Sequence, residues 1–443
     1  MKSEIKLSKL EQILDLAKQN GATECEVIQK SWTNNPINFE NNKLKTLESN
    51  ESSGISVRLI KNKKIGLSSS TDLEAVDKAV TAATEASEFG PEATFDFAKE
   101  NLSPDAVNRA STPELPLENL VERGTNIIEQ LKTFHKDLLI SGGFDLGHGE
   151  TIYLNSSGVY GKRRKSVFST SFYAQLIRGE DFLGIYDGNS NLEDFPNEKE
   201  ISKKIFEKLN FSKENISLTT KKYQVIFTPQ AVSSIFGYIL SVILNGKVIQ
   251  QGVSPVADKL GKELFDKKFS FIEDPDIGTK KTAFDDEGIK TKRKILISSG
   301  IINSFYFDLS SGSKIKPMCL TSGNGFKGNL ALAPSPSLTS LEIMAGKTPY
   351  KDMIKNIKEG VLIDQLLGAG QSNTLAGEFS VGIDLGFKIK DGNIQGRIKN
   401  CMIAGNIFEV LKNIQEMSVE REWVSGSQLF PYFLIDNLTV AGK

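Results

Sequence analysis

Between Pro229 and Asn245 the chain carries no charged residue. Within this stretch Val232, Ile235, Phe236, Ile239, Leu240 and Ile243 recur at helical spacing, which makes one stripe of a helix apolar. Thr228 can cap it, and Pro229 suits the first helical position, where a missing N–H costs nothing. Gln230, Ser233, Ser234, Gly237, Tyr238 and Ser241 fall on the opposite side. A surface helix normally keeps charge on its outer side, so this one is expected to be covered on both. The fold must therefore enclose a helix rather than display one.

Strand patterns surround it. Residues 223–227 lead into the helix. Residues 290–297 and 301–307 flank Ser298-Ser299-Gly300, a hairpin signature, and 379–389, 397–404 and 429–438 are further strand candidates. The first half alternates more. Ser8 and Glu11 form a capping box ahead of Leu10, Ile13, Leu14 and Ala17, with Gly21 as the stop. Residues 25–29 suit a short strand. Ile55, Val57 and Leu59 alternate with Ser56 and Arg58, which predicts a half-buried one. Thr71 and Glu74 form a second capping box before a helix carrying Leu73, Val76 and Val80. Four prolines between 91 and 116 predict a long surface loop. Leu117 to Leu131 line a helix face. Residues 151–154 and 166–177 suit strands joined through a turn at Asn155-Ser156-Ser157-Gly158, and 199–209 a polar helix. The polar stretch 215–222 is the best boundary. The expectation is an α+β chain of 443 residues in two domains: 1–218, of α/β type, and 219–443, strand-rich with a central uncharged helix.

Residue inventory excludes several chemistries. Only His135 and His148 occur, so no mechanism needing several histidines is available. His148, in Gly147-His148-Gly149-Glu150, reads as a loop residue; a lone histidine cannot hold catalytic zinc. No Gly-x-Ser-x-Gly accompanies it. Cys25, Cys319 and Cys401 are far apart and odd in number, which suits buried thiols in a reducing compartment. A net charge of -1 gives no general attraction for nucleic acid. The one basic run, Lys162-Arg163-Arg164-Lys165, alternates between the faces of a strand. The N-terminus lacks a signal-peptide pattern and no apolar run spans a membrane, so a soluble cytoplasmic protein is expected. Asp285-Asp286-Glu287, followed by Gly288, reads as a solvated turn. Gly323, Asn324 and Gly325 lack the setting of a phosphate loop. A glycine-rich loop can expose backbone to an extended chain, which makes these three candidates for peptide or partner contact.

Several segments, in this order, resemble the TldD/PmbA family, once called modulators of DNA gyrase. They are Asn42-Lys43-Leu44-Lys45 with Gly54-Ile55-Ser56-Val57-Arg58; Phe284-Asp285-Asp286-Glu287-Gly288; Leu320-Thr321-Ser322-Gly323-Asn324; Ala404-Gly405-Asn406; and Ile435-Asp436-Asn437-Leu438-Thr439-Val440-Ala441-Gly442. The resemblance implies a metallopeptidase-like fold in the second half. TldD-type members carry His-Glu-x-x-x-His on the matching helix and a cysteine near the C-terminus, which bind zinc. Here the matching positions are Ser233, Ser234 and Tyr238, and the C-terminal stretch reads Trp423-Val424-Ser425-Gly426-Ser427. The resemblance therefore implies the TldE/PmbA-type arm, with no metal or cofactor in this chain and zinc in a TldD-type partner. Ser233, Ser234 and Tyr238 would be a vestigial active-site wall, and the chain inactive alone. The complex would cleave unfolded or extended peptides, and the chain purified alone would be a homodimer. The alternative is a stand-alone homodimeric peptide-binding protein without protease function.

Overall fold

The computed structural model describes residues 7–102, 117–315 and 322–442. The chain is mixed α and β with a strand-rich second half, and two sheets dominate it. The first is fully antiparallel. Its strands are β1 (Glu24–Glu40), β2 (Lys43–Leu47), β3 (Asn50–Lys61), β4 (Lys64–Ser70), β5 (Leu139–Asn155), β6 (Tyr160–Arg178) and β7 (Asp181–Asn191), in the order β4-β3-β1-β5-β6-β7 with β2 beside β1. Four helices are α1 (Leu7–Gln19), α2 (Val76–Phe89), α3 (Leu117–Lys132) and α4 (Glu198–Phe211). Leu10, Ile13 and Ala17 of α1 and Val76, Ala79 and Val80 of α2 share a core with Val27, Val57 and Leu59. Alternation puts every second strand residue on this covered face.

The second sheet has twelve strands. At its centre lie Lys221–Phe227, Glu359–Leu367 and Gln428–Ala441. Both faces are buried there. Val225, Phe227, Val361, Ile363 and Phe433 pack with the helical segment that follows Thr228. Ile226, Leu362 and Leu434 turn the other way and join a core with Ile201, Ile205 and Leu209 of α4 and Phe144 and Phe172 of the first sheet. One apolar core thus draws on both sheets and the helices between them.

Several expectations change. β1 runs to Glu40, far beyond residue 29. Predicted strand 397–404 is two strands, Asn393–Ile398 and Cys401–Asn406, broken at Asn400 with φ 53°. α2 begins at Val76 after Ala75, without a side-chain cap, so the Thr71/Glu74 box is not used. Part of the predicted surface loop turns inward: Phe97, Ala98 and Leu102 are buried. Residues 103–116 of that loop lie outside the described residues, as does Cys319. Cys25 and Cys401 are buried as expected. His148 sits mid-strand in β5, opposite Thr33 and Ser166 rather than in a loop.

The largest correction concerns the charges. Arg58 was expected on the wet side of a half-buried strand, and Asp285-Asp286-Glu287 in a solvated turn. Arg58 is only 3% exposed, and the three acids 0%, 2% and 0%. The polar face of the first sheet lies against the second half, so both ends of the contact are dry. Arg58 Nε donates to Glu26 Oε1 across the β1–β3 pair at 2.7 Å, and its Nη2 reaches Glu287 Oε1 at 3.1 Å. Glu26 Oε2 accepts from the Tyr153 hydroxyl at 2.9 Å. Phe97 stacks under the guanidinium, 4.9 Å from ring centre. Lys30 Nζ pairs with Asp286 Oδ2 at 2.7 Å, and Arg163 pairs with Oδ1. Burial alone would raise the Asp286 carboxyl, but Arg163 and Lys30 hold it below the usual range. Burial pushes Asp285 and Glu287 upward.

Removing one partner of a buried pair strands the other, which costs about 3–5 kcal/mol. Arg58→Ala should therefore lower unfolding stability by about that amount in urea titration at pH 7. It leaves Glu26 and Glu287 buried without their cation. Burial already raises the Glu287 carboxyl and Arg58 opposes that rise, so without Arg58 the folded variant holds a proton there that the unfolded chain releases. The deficit should be smaller at pH 5 than at pH 8.

Candidate functional site

The uncharged helix starts as its sequence dictates. Thr228 is extended and its side chain accepts from Ala231 N–H, with Pro229 in the first turn. Pro229–Val232 and Tyr238–Ile243 are α-helical, but Ser233–Gly237 between them is a π turn, in which Tyr238 N–H bonds to the Ser233 carbonyl five residues back. Such turns widen a helix locally and recur at functional positions. Val232, Ile235, Phe236, Ile239, Leu240 and Ile243 are all buried against the second sheet, as the stripe predicted.

The other side differs from expectation. Among the described residues it is only partly covered: Ser233, Ser234 and Ser241 are half-exposed and Tyr238 is 42% exposed. The Ser234 hydroxyl donates to the Gln230 carbonyl at 2.9 Å, and Ser241 to the Gly237 carbonyl. Gly237 is buried, and a Cβ there would stand 3.1 Å from both Gln428 Oε1 and Phe430. Gln428 opens the strand that follows Ser425 and Gly426, a turn with φ of 50° and 65°. The helix therefore meets the start of the strand that follows the Trp423–Ser427 stretch.

Their donor set does not fit zinc. Serine hydroxyls and a phenol must lose a high-pKa proton to bind such an ion well. Among the described residues no three His, Cys, Asp or Glu side chains form a ligand group. A cavity of about 400 Å³ opens at the helix start, lined there by Thr228, Pro229 and Gln230, but does not include residues 233, 234 or 238. Carboxylates outnumber lysines in its lining, five to three, and Lys208 stands 2.8 Å from Asp364 and 3.2 Å from Asp187.

Gly323, Asn324 and Gly325 have an internal task. Asn324 is fully buried; its amide donates to Glu273 Oε1 at 2.7 Å and the Ser337 carbonyl at 2.9 Å, and accepts from the Ser322 hydroxyl. Gly325 N–H donates to Asp285 Oδ2 at 2.8 Å. Asp285 Oδ1 accepts from the N–H groups of Glu287 and Ile289, and Asp286 Oδ2 from Lys327 N–H. The loop and the acidic triad are one buried assembly, not a surface offered to a peptide. Gly288 and Gly325 lie against bulky partners: a Cβ on Gly288 would stand 2.3 Å from the Tyr153 ring, and one on Gly325 2.2 Å from Glu287 Oε2.

A family model described as the PmbA/TldA metallopeptidase C-terminal domain matches residues 220–442, and one for PmbA/TldA metallopeptidase domain 1 matches 25–87. An uncharacterized protein of Methanocaldococcus jannaschii is 23% identical over 414 residues, 91% of this chain and 93% of that one. Metalloprotease PmbA of Escherichia coli O157:H7 is 26% identical over 228 residues, 51% of this chain and 47% of PmbA, so that match spans about half of each protein. The crystal structure of TldE from Thermococcus kodakarensis shares the fold, with a TM-score of 0.87 at 23% identity, covering 98% of this chain and all of that one.

Overpacking a buried site typically costs about 1–3 kcal/mol. Gly325→Ala should lose that much stability, because Glu287 cannot retreat without releasing Arg58. Gly328→Ala, whose Cβ would meet nothing nearer than Leu332 at 3.6 Å, should leave the thermal midpoint nearly unchanged. Equal midpoints for the two variants would show that the triad is not tightly packed.

Proposed function

The chain belongs to the PmbA/TldD metallopeptidase family, and on that premise we propose that it is the zinc-free, TldE/PmbA-type subunit of a TldD/TldE-type peptidase. Its partner, a TldD-type subunit, supplies the zinc and the activated water; this chain supplies walls that admit unfolded or extended peptides. The observation that carries the reading is the helix at Ser233, Ser234 and Tyr238. It keeps an open, uncharged face where the zinc-bearing arm has ligands, yet offers only hydroxyls. An open face without charge suits contact with another protein surface. The likeness to TldE in fold supports the same assignment. Two domains, 1–218 and 219–443, a cytoplasmic location and a homodimer in the absence of the partner complete the proposal.

The chain purified alone should contain well under one zinc per molecule and leave an extended test peptide intact. Mixing it with a TldD-type subunit should raise cleavage at least tenfold over that subunit alone. One zinc per chain with cleavage by the isolated protein would overturn the reading. No gain on mixing would leave the stand-alone binding protein in its place.

A further inference from the structure

A second cavity, of about 370 Å³, lies where the first sheet faces the loop at 280–283. Its lining carries six lysines and arginines but one carboxylate, Glu150. That carboxylate is already shared by Lys162 and Arg164. The sheet register builds the wall. Lys30, Thr151 and Arg163 form one cross-strand row, and Trp32, Gly149 and Lys165 the next, all on one face. Lys30 and Arg163 both lean on Asp286. Lys165 and Lys280 have no carboxylate within ion-pair distance among the described residues. Burial, with Arg163 and Lys280 nearby, lowers the Lys165 ammonium to about 8.

The cleft also has flat apolar surfaces. A Cβ at Gly147 or Gly149 would meet the Trp32 ring at 2.6 Å, so these two glycines seat the indole on bare β5 backbone, and its N–H is held by Asn34. Phe326 and Leu338 face it from the second half. A cluster of like charges in a part-desolvated cleft is unfavourable unless an opposite charge enters. The volume is in the range of small-ligand sites, about 300–1,000 Å³.

We propose that this cleft is an oxyanion-binding site, and that its ligand is a carboxylate carried on an apolar or aromatic body. A peptide ending in such a residue and a free organic acid share that chemistry. The site stands independently of the subunit reading, because it is complete in this chain and is tested without a partner.

The test is fluorescence anisotropy with a labelled hexapeptide ending in a free-acid phenylalanine, the same peptide amidated, and citrate and inorganic phosphate as competitors. The free-acid peptide should bind, more weakly as salt rises. The paired variant Lys165→Met with Lys280→Met should weaken it at least tenfold. Its thermal midpoint should not fall, since two like-charged groups without carboxylate partners are removed. Tenfold weaker binding of the amide identifies the peptide terminus as the source. Displacement by citrate but not by phosphate, without that difference, identifies a free organic acid as the source; displacement by phosphate as strong as by citrate would overturn the carboxylate assignment. No binding of any probe, or undiminished binding by the paired variant, would overturn the proposal.

Discussion

A nearly waterless guanidinium holds the two halves of this chain in register. Arg58 lies between Glu26 on its own sheet and Glu287 on the other half, so both sheets meet at one charge. Buried ion pairs seldom add net stability over apolar contacts, because desolvation offsets the attraction. They penalise any misplacement strongly, however, and so suit a junction whose geometry has to be unique. The neighbouring pairs repeat the pattern: Asp286 receives Lys30 and Arg163, and Asp285 fastens the backbone of Gly325 and Ile289. The apolar core shared by α4 and both sheets supplies the non-specific part of the same union.

The two cavities show how differently charge is used within one fold. Beside the uncharged helix carboxylates outnumber lysines, and Lys208 is enclosed by Asp187 and Asp364. The cleft beside Trp32 has the reverse character, with cations that outnumber the acids able to reach them. Both positions lie where the halves meet, which is where ligand sites commonly form. The helix face itself, with Tyr238 outermost, offers neither charge nor metal ligands but an accessible surface.

Periodicity made much of the fold legible. The apolar stripes of α1, α3 and the central helix, and the hairpin at Ser299 and Gly300, with φ of 46° and 81°, are local consequences of spacing and turn chemistry. What periodicity could not convey was the destination of the polar faces. Arg58 and Ser56 alternate as residues on a wet strand would, and only tertiary contact turns that side into an interior. The acidic triad misled for the same reason, since three successive carboxylates are ordinarily solvated and their three cations lie more than a hundred residues upstream in the chain. Asn324 resembled a mobile-loop residue, yet every polar atom of its amide is engaged. The candidate positions on the helix were legible through family resemblance, and their exposure was not.

The π turn at Ser233–Gly237 carries one more implication. On a regular α-helix a residue five places on is rotated by about 140°, so two groups at that interval diverge. A turn closed between Ser233 and Tyr238 narrows the divergence and brings both toward the same side. The backbone here thus sets two side chains at that interval toward one side of the helix, and in this chain they are a hydroxyl and a phenol. Under the proposed subunit role, the step from helper to hydrolase is a matter of a few side chains on this helix rather than of architecture.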